Sequence, residues 1–272
     1  MTELPIAEGT DPMVLLLDIM RQLRDPDSGC PWDLRQDFHT IVPFTIEETY
    51  ELADAIASGD FSQVCDELGD VLFQVVFYAQ MASERRLFDF ADVAEGIAQK
   101  LLRRHPHVFA RNSDEPVSEA EVKERWEILK GEERQQKDQR GVLDNVPRAL
   151  PALSRAQKLQ KRAARVGFDW PDRAGVHDKI QEELAELAEA ISDDDGDAIE
   201  AELGDVFLAM VNLARHLGVD AESAVRQANN RFESRFRVME QAAAEDNSDL
   251  QHEALDRLED RWQAAKRHLA SK

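Results

Sequence analysis

The chain is 272 residues long, with a formal net charge of −22, 43% hydrophobic and 32% charged residues, and only 12 Gly and 10 Pro. That balance describes a soluble, helix-rich protein with material for one large domain or two ordinary ones, not a disordered or fibrous chain. So acidic a chain excludes nucleic-acid backbone and anionic membrane as principal partners, since both require clustered Lys and Arg; small polyanions remain open where a divalent cation bridges them to carboxylates.

Residues 1–12 carry three acids and no basic residue, so they lack the charged start of a signal peptide. The longest apolar runs, Val14–Leu17 and Val71–Ala79, are too short to span a bilayer. Cys30 and Cys65 stand in no metal-ligand spacing, which suits a cytoplasmic protein with two ordinary thiols.

Apolar residues at helical spacing predict a first helix over 13–24, ending in a turn-rich loop, residues 25–31, that holds Trp32. Thr45, with Glu48 three residues on, reads as a capping box for a helix through Ser58. Gly59-Asp60 ends that helix, and further helices are predicted over 62–83 and 89–104, the last stopping at His105-Pro106. A charged helix over 118–139 and a Gly141–Pro151 break mark the junction between two halves, 1–145 and 146–272. The second half is predicted helical over 152–166, 175–192, 198–217, 220–243 and 249–269, with a loop around Gly167–Pro171 matching Gly29–Asp33 of the first. The fold class is therefore all-α, built as two tandem helical repeats.

The repeat is direct. Glu47–Ile56 and Glu182–Ile191 agree at seven of ten positions, and Glu67–Val71 is identical to Glu202–Val206. Five acids recur at a shift of 135: Glu47, Glu48, Glu51, Glu67 and Asp70 in the first half, and Glu182, Glu183, Glu186, Glu202 and Asp205 in the second. Residues three and four apart share a helix face, so Glu182 and Glu183 neighbour Glu186, and Glu202 neighbours Asp205. The turn at 193–197 folds the two helices into an antiparallel hairpin, with Glu186 and Glu202 at similar distances from the turn. Gathered like charges repel one another and want a cation, and an all-oxygen set without Cys or His suits Mg²⁺, Mn²⁺ or Ca²⁺. A solvated acidic face is the plain alternative in a chain with 55 acids. Against it, all five acids agree between the halves while neighbours such as Tyr50/Ala185 and Phe77/Asn212 differ. Leu184, Leu187, Ile191, Leu203, Val206, Phe207 and Met210 are left for packing beside the acids.

On the helix after each hairpin, Lys100 and Arg104 in the first half correspond to Arg231 and Arg235 in the second, each pair spaced i, i+4. Acids for a metal with cations nearby are what a triphosphate requires. Lys179 has Phe44 as its first-half counterpart, so only the second repeat adds a cation one turn before its acids. No histidine has Glu three residues before it, which excludes the di-iron bundle pattern, and no Walker, Rossmann or nucleophile-elbow motif is present.

The Glu-Glu-x-x-Glu … Glu-x-x-Asp hairpin, with Gly29–Asp33, Thr45–Tyr50, Arg104–Phe109, Leu150–Leu153, Arg155–Lys158 and Val166–Trp170, resembles the two-domain MazG proteins of the all-α nucleoside triphosphate pyrophosphohydrolases over nearly the full length. That resemblance implies two helical-bundle repeats completed by dimerisation. It also implies Mg²⁺-dependent hydrolysis of ribo- and deoxynucleoside triphosphates to monophosphate and pyrophosphate, by water attack at the α-phosphorus. Carried over, it makes Glu183, Glu186, Glu202 and Asp205 metal ligands, and Glu182 and Glu183 the catalytic acids. Lys179, Glu182, Arg231, Arg235 and Trp262 become nucleotide contacts. The first acid set is then auxiliary and the second the working copy. The family commonly has Lys where this chain has Arg231, which replaces a point charge with a planar fork. A narrow dUTP or dCTP pyrophosphatase and a non-catalytic acidic adaptor are the competing readings.

Overall fold

In the computed structural model, the described residues are 11–110, 118, 121–122 and 141–270, and every regular element among them is helical. The charged helix expected over 118–139 lies outside them apart from three positions, as does most of the expected lead over 1–12. The chain divides into two compact units, Met1–Leu129 and Lys130–Lys272.

The first unit contains α1 (Pro12–Leu23), α2 (Pro31–Leu34), α3 (Phe38–Ser58), α4 (Phe61–Glu84), α5 (Phe90–Arg104) and α6 (Pro106–Phe109). Two expectations need correction here. Trp32 sits in the one-turn helix α2, opened by Pro31 at its first position, not in a loop. The capping box of α3 is Asp37 with Thr40, with Asp37 eight residues ahead of the expected cap Thr45: Asp37 accepts from the His39 and Thr40 N–H groups, and the Thr40 hydroxyl accepts from the Asp37 N–H. Thr45 is instead a helix-interior residue whose hydroxyl donates to the Ile41 carbonyl and meets the Tyr78 hydroxyl at 3.0 Å. The helix runs through Pro43, which supplies no N–H to the carbonyl four residues back.

Gly59, at φ +76°, closes α3, and the Asp60 carboxylate caps α4, so the hairpin turns in two residues. Met20, Ile41, Val76, Phe77 and Met81 form the core between α1, α3 and α4. Full burial of Phe77 is worth roughly 1.5–3 kcal/mol in transfer free energy alone.

The second unit contains α7 (Ala152–Ala164), α8 (Arg173–Ser192), α9 (Gly196–His216), α10 (Ala221–Glu245), a 3₁₀ turn at Leu250–His252, and α11 (Leu255–Ala270). The α8–α9 hairpin packs on α7, and α10 pairs with α11. Asp194 takes the left-handed turn conformation at φ 53°, and Asp195 caps α9. The final helix starts six residues later than expected. Glu253, just before it, is locked by Arg261 at 2.7 Å and by the Ser248 hydroxyl, which holds the chain out of helix there.

The apolar stripe beside the acids is not buried within its unit, contrary to the packing expected of it. Leu184, Ile191, Leu203, Phe207 and Met210 are 44, 58, 42, 55 and 48% exposed. The core of this hairpin is instead Val176, Ile180 and Ala209, with Leu213 against them.

Candidate active site

The α8–α9 hairpin brings three of the five expected carboxylates together. One oxygen each of Glu183, Glu202 and Asp205 lies within 4.8 Å of the others, with Glu183 buried, Glu202 half-buried and Asp205 exposed. Glu183 faces inward because it shares a face with Val176 and Ile180, the residues that anchor α8. Glu182 and Glu186, one residue and three residues along, fall outside this trio. The first hairpin repeats the arrangement with Glu48, Glu67 and Asp70, leaving out Glu47 and Glu51.

The acids are crowded. Desolvation among the helices raises the Glu186 carboxyl above its ordinary range although the side chain remains largely exposed; Lys179 draws it back in part, and Glu183, Glu202 and Glu182 push it up further. In the first repeat, burial and then Asp70, Glu51, Glu67 and Glu47 raise Glu48 in the same sense. The two repeats differ in what compensates. Lys179 bridges Glu182 and Glu183, its Nζ 2.7 Å from an oxygen of each, and these bonds hold its ammonium well above the usual lysine range. Phe44 stands at the equivalent place in the first repeat and supplies no such charge.

An oxygen trio of this spread is compatible with a small hard cation. Mg²⁺ at about 2.0–2.1 Å from each ligand requires oxygens within roughly 4.2 Å of one another, a spacing close to the 4.8 Å bound within which these three lie. The absence of nitrogen and sulfur from the donor set fits such an ion better than zinc.

Arg231, Arg235 and Trp262 are not brought to the trio within this unit. The two arginines line a separate cleft of about 360 Å³ between α10 and α11, together with Lys266 and Ser234. Trp262 packs against Phe232, ring centroids 5.2 Å apart, with the Arg235 guanidinium 5.6 Å over its ring. What adjoins the acids instead is a cavity of about 430 Å³ that Lys179, Glu183 and Asp205 share with Phe168, Trp170 and Asn212. The sequence offers Trp170, with Trp32 and Trp262, as a ring that could stack on a base, packing being the commoner fate of tryptophan, but does not join Phe168 and Asn212 to it as a pocket. The available signal was the divergence of Asn212 from Phe77 beside unchanged acids.

A duplicated helical hairpin whose arms gather carboxylates at one height places the chain among the all-α nucleotide hydrolases. The MazG nucleotide pyrophosphohydrolase domain model matches it twice, over residues 36–109 and 175–256, and the chain belongs to that family of enzymes. It is 53% identical over 256 residues to the nucleoside triphosphate pyrophosphohydrolase of Escherichia coli K12, spanning 93% of this chain and 96% of that one. It is also 43% identical over 251 residues to the nucleoside triphosphate pyrophosphohydrolase/pyrophosphatase MazG of Thermotoga maritima, across 92% and 94% of the two chains. No helix among the described residues is long and apolar enough to cross a membrane.

Proposed function

We propose that this chain hydrolyses nucleoside triphosphates to the monophosphate and pyrophosphate, at the second acid set and with Mg²⁺. The observation that carries the reading is the Glu183–Glu202–Asp205 trio with Lys179 on its edge. It unites oxygen ligands with a cation suited to phosphate.

Glu183, Glu202 and Asp205 would hold the ion, and Glu186, outside the trio but coupled electrostatically to Glu183 and Glu202, is the fourth ligand of the proposal. Bound there, Mg²⁺ supplies a Lewis acid for phosphate oxygens and for the attacking water. Lys179, now bonded to Glu182 and Glu183, would turn to phosphate oxygens when Glu183 serves as a metal ligand. Glu182, whose side chain is 55% exposed and outside the trio, is free to orient the water and accept its proton. A bond forms between the water oxygen and the α-phosphorus as the α–β bridging bond breaks, and the bridging oxygen leaves with pyrophosphate. A second copy could present the Arg231/Arg235 cleft to a nucleotide, and the exposed Leu184–Phe207–Met210 face is the surface two copies would bury. A homodimer is therefore part of this proposal, as is a cytoplasmic role on the nucleotide pool.

The test is metal and ligand removal. Activity is expected to vanish in EDTA and return with Mg²⁺ or Mn²⁺. Glu186→Gln and Asp205→Asn are expected to abolish it with the helical CD spectrum intact, whereas Glu51→Gln and Asp70→Asn leave it. Turnover without metal would overturn the mechanism, and loss of activity only in the first-repeat variants would overturn the choice of repeat.

A further inference from the structure

On α8 a lysine already stands on the metal's ligand set. Lys179 Nζ lies 2.7 Å from a carboxylate oxygen of Glu182 and 2.7 Å from one of Glu183. Glu183 is also a member of the oxygen trio with Glu202 and Asp205. The ammonium is thus a resident cation on a carboxylate that the ion needs.

Helix pairing alone does not account for this arrangement. The lysine is N-terminal to both acids, at i, i+3 and i, i+4, and that order is the weaker orientation of a Glu–Lys pair on a helix. The ammonium spans a buried carboxylate, Glu183, and an exposed one, Glu182. Its stem is part-exposed and lines the cavity beside Glu183 and Asp205, so a phosphate that reaches these acids also meets Nζ.

The first repeat holds the same acids without that cation. Phe44 stands at the place of Lys179. Beyond burial, the charges pressing on Glu48 are those of Asp70, Glu51, Glu67 and Glu47, acids throughout. In the second repeat Lys179 acts on Glu186 against Glu183, Glu202 and Glu182. Five acids are kept in each copy, and the compensating charge is built into one.

An ammonium and a divalent ion on one carboxylate repel each other. From a shared oxygen of Glu183, Nζ at 2.7 Å and Mg²⁺ at about 2.1 Å stand no more than about 5 Å apart. Even at the dielectric of water, a unit charge at that distance lowers the affinity for a divalent cation by about 10-fold. Free Mg²⁺ therefore binds against Lys179. A triphosphate reverses the balance: its oxygens give the ammonium another partner, and Glu183 is released to the ion. Such coupling is reciprocal, so the ion favours the phosphate as far as the phosphate favours the ion.

We propose that Lys179 is the built-in counter-ion of the second acid set, and that it makes the site select the metal–triphosphate complex over the free ion. This rests on the reading of Glu182–Asp205 as the metal and phosphate site.

The test uses full-length protein carrying Glu48→Gln and Asp70→Asn, which removes the first trio from the measurement. Mn²⁺ is titrated in and read by the electron paramagnetic resonance of the free ion. Lys179→Met, which keeps the stem and removes the charge, is expected to bind free Mn²⁺ at least about 10-fold more tightly than its Lys179 parent. The preformed Mn²⁺–tripolyphosphate complex, followed by calorimetry, is expected to bind the same variant at least about 10-fold more weakly. Lys179→Arg keeps the charge and is expected to stay within about threefold of the parent for the free ion. A lysine that only contacts phosphate would move the second affinity and leave the first unchanged; one that merely pairs along the helix would move neither. Free Mn²⁺ that binds Lys179→Met no more tightly than the parent, or Lys179→Arg as tightly as Lys179→Met, would overturn the counter-ion. A parent protein that binds no Mn²⁺–tripolyphosphate would overturn the reading of the site itself, and this proposal with it.

Discussion

Glu183→Gln separates a catalytic carboxylate from a structural one, because the two roles predict stability changes of opposite sign. The Glu183 side chain is 7% exposed, and one of its oxygens lies within 4.8 Å of oxygens on Glu202 and Asp205. At that separation each like-charge contact costs roughly 1–3 kcal/mol between partly buried groups. Gln keeps the shape and removes the charge, so that repulsion is relieved. Lys179 loses one of its two carboxylate partners and keeps Glu182 at 2.7 Å. In metal-free buffer the melting temperature is therefore expected to equal the wild-type value or exceed it by up to about 5 °C. Activity is expected to fall in the opposite direction, by about 10²–10³-fold or more, the effect of removing one group that stabilises transition-state charge. Thermal melts with and without Mg²⁺, beside pyrophosphate release from ATP, read both quantities; the stabilisation Mg²⁺ gives the wild type should shrink in the variant. Glu48→Gln in the first repeat should show the same relief without the loss of turnover. A Glu183→Gln protein that melts earlier and still turns over substrate would refute the reasoning, since the acid would then be a structural partner of Lys179.

Three further outcomes follow from the geometry. Gly175→Ala drives a methyl group into the Trp170 ring and is expected to cost about 1–3 kcal/mol in chemical denaturation while raising KM for nucleotides; unchanged values for both would mean that Trp170 shifts freely. Phe207→Asp puts a charge on the exposed apolar face, 55% exposed at that residue, and is expected to turn a dimer into a monomer in sedimentation velocity; wild-type protein that is already monomeric would remove the dimer from the account. Glu253, held at about 2 by its bonds from Arg261 and then Ser248, contributes stability that is present above pH 4.5 and lost as the pH falls from there towards 2. Glu253→Gln is therefore expected to melt earlier than wild type at pH 7 and to show a shallower decline over that acid range; parallel curves would contradict it.

The duplicated acids were legible because helical spacing and a hairpin turn determine which residues share a height, and Glu183, Glu202 and Asp205 meet accordingly. Glu182 and Glu186 show the limit of that reasoning: i, i+3 neighbours share a face but need not converge at ligand distance. The start of α3 was misplaced because Pro43 argues locally against a helix, and Thr45-x-x-Glu48 imitates a cap that Asp37 and Thr40 provide. Leu184, Phe207 and Met210 were legible as apolar but not as uncovered, since periodicity gives a face and not what lies on it. Arg231 and Arg235 were expected beside the acids from their place on the next helix, yet within the unit they line the cleft with Lys266. The Phe168–Asn212 cavity depends on tertiary approach of a loop to α9, which no spacing rule encodes.

The reaction itself is tested most directly by where the oxygen of water ends up. With ¹⁸O-enriched water, Mg²⁺ and a single nucleoside triphosphate, mass spectrometry of the products is predicted to place one ¹⁸O on the nucleoside monophosphate and none on pyrophosphate. Label in the pyrophosphate, or release of diphosphate and orthophosphate, would contradict attack at the α-phosphorus and the site built around it.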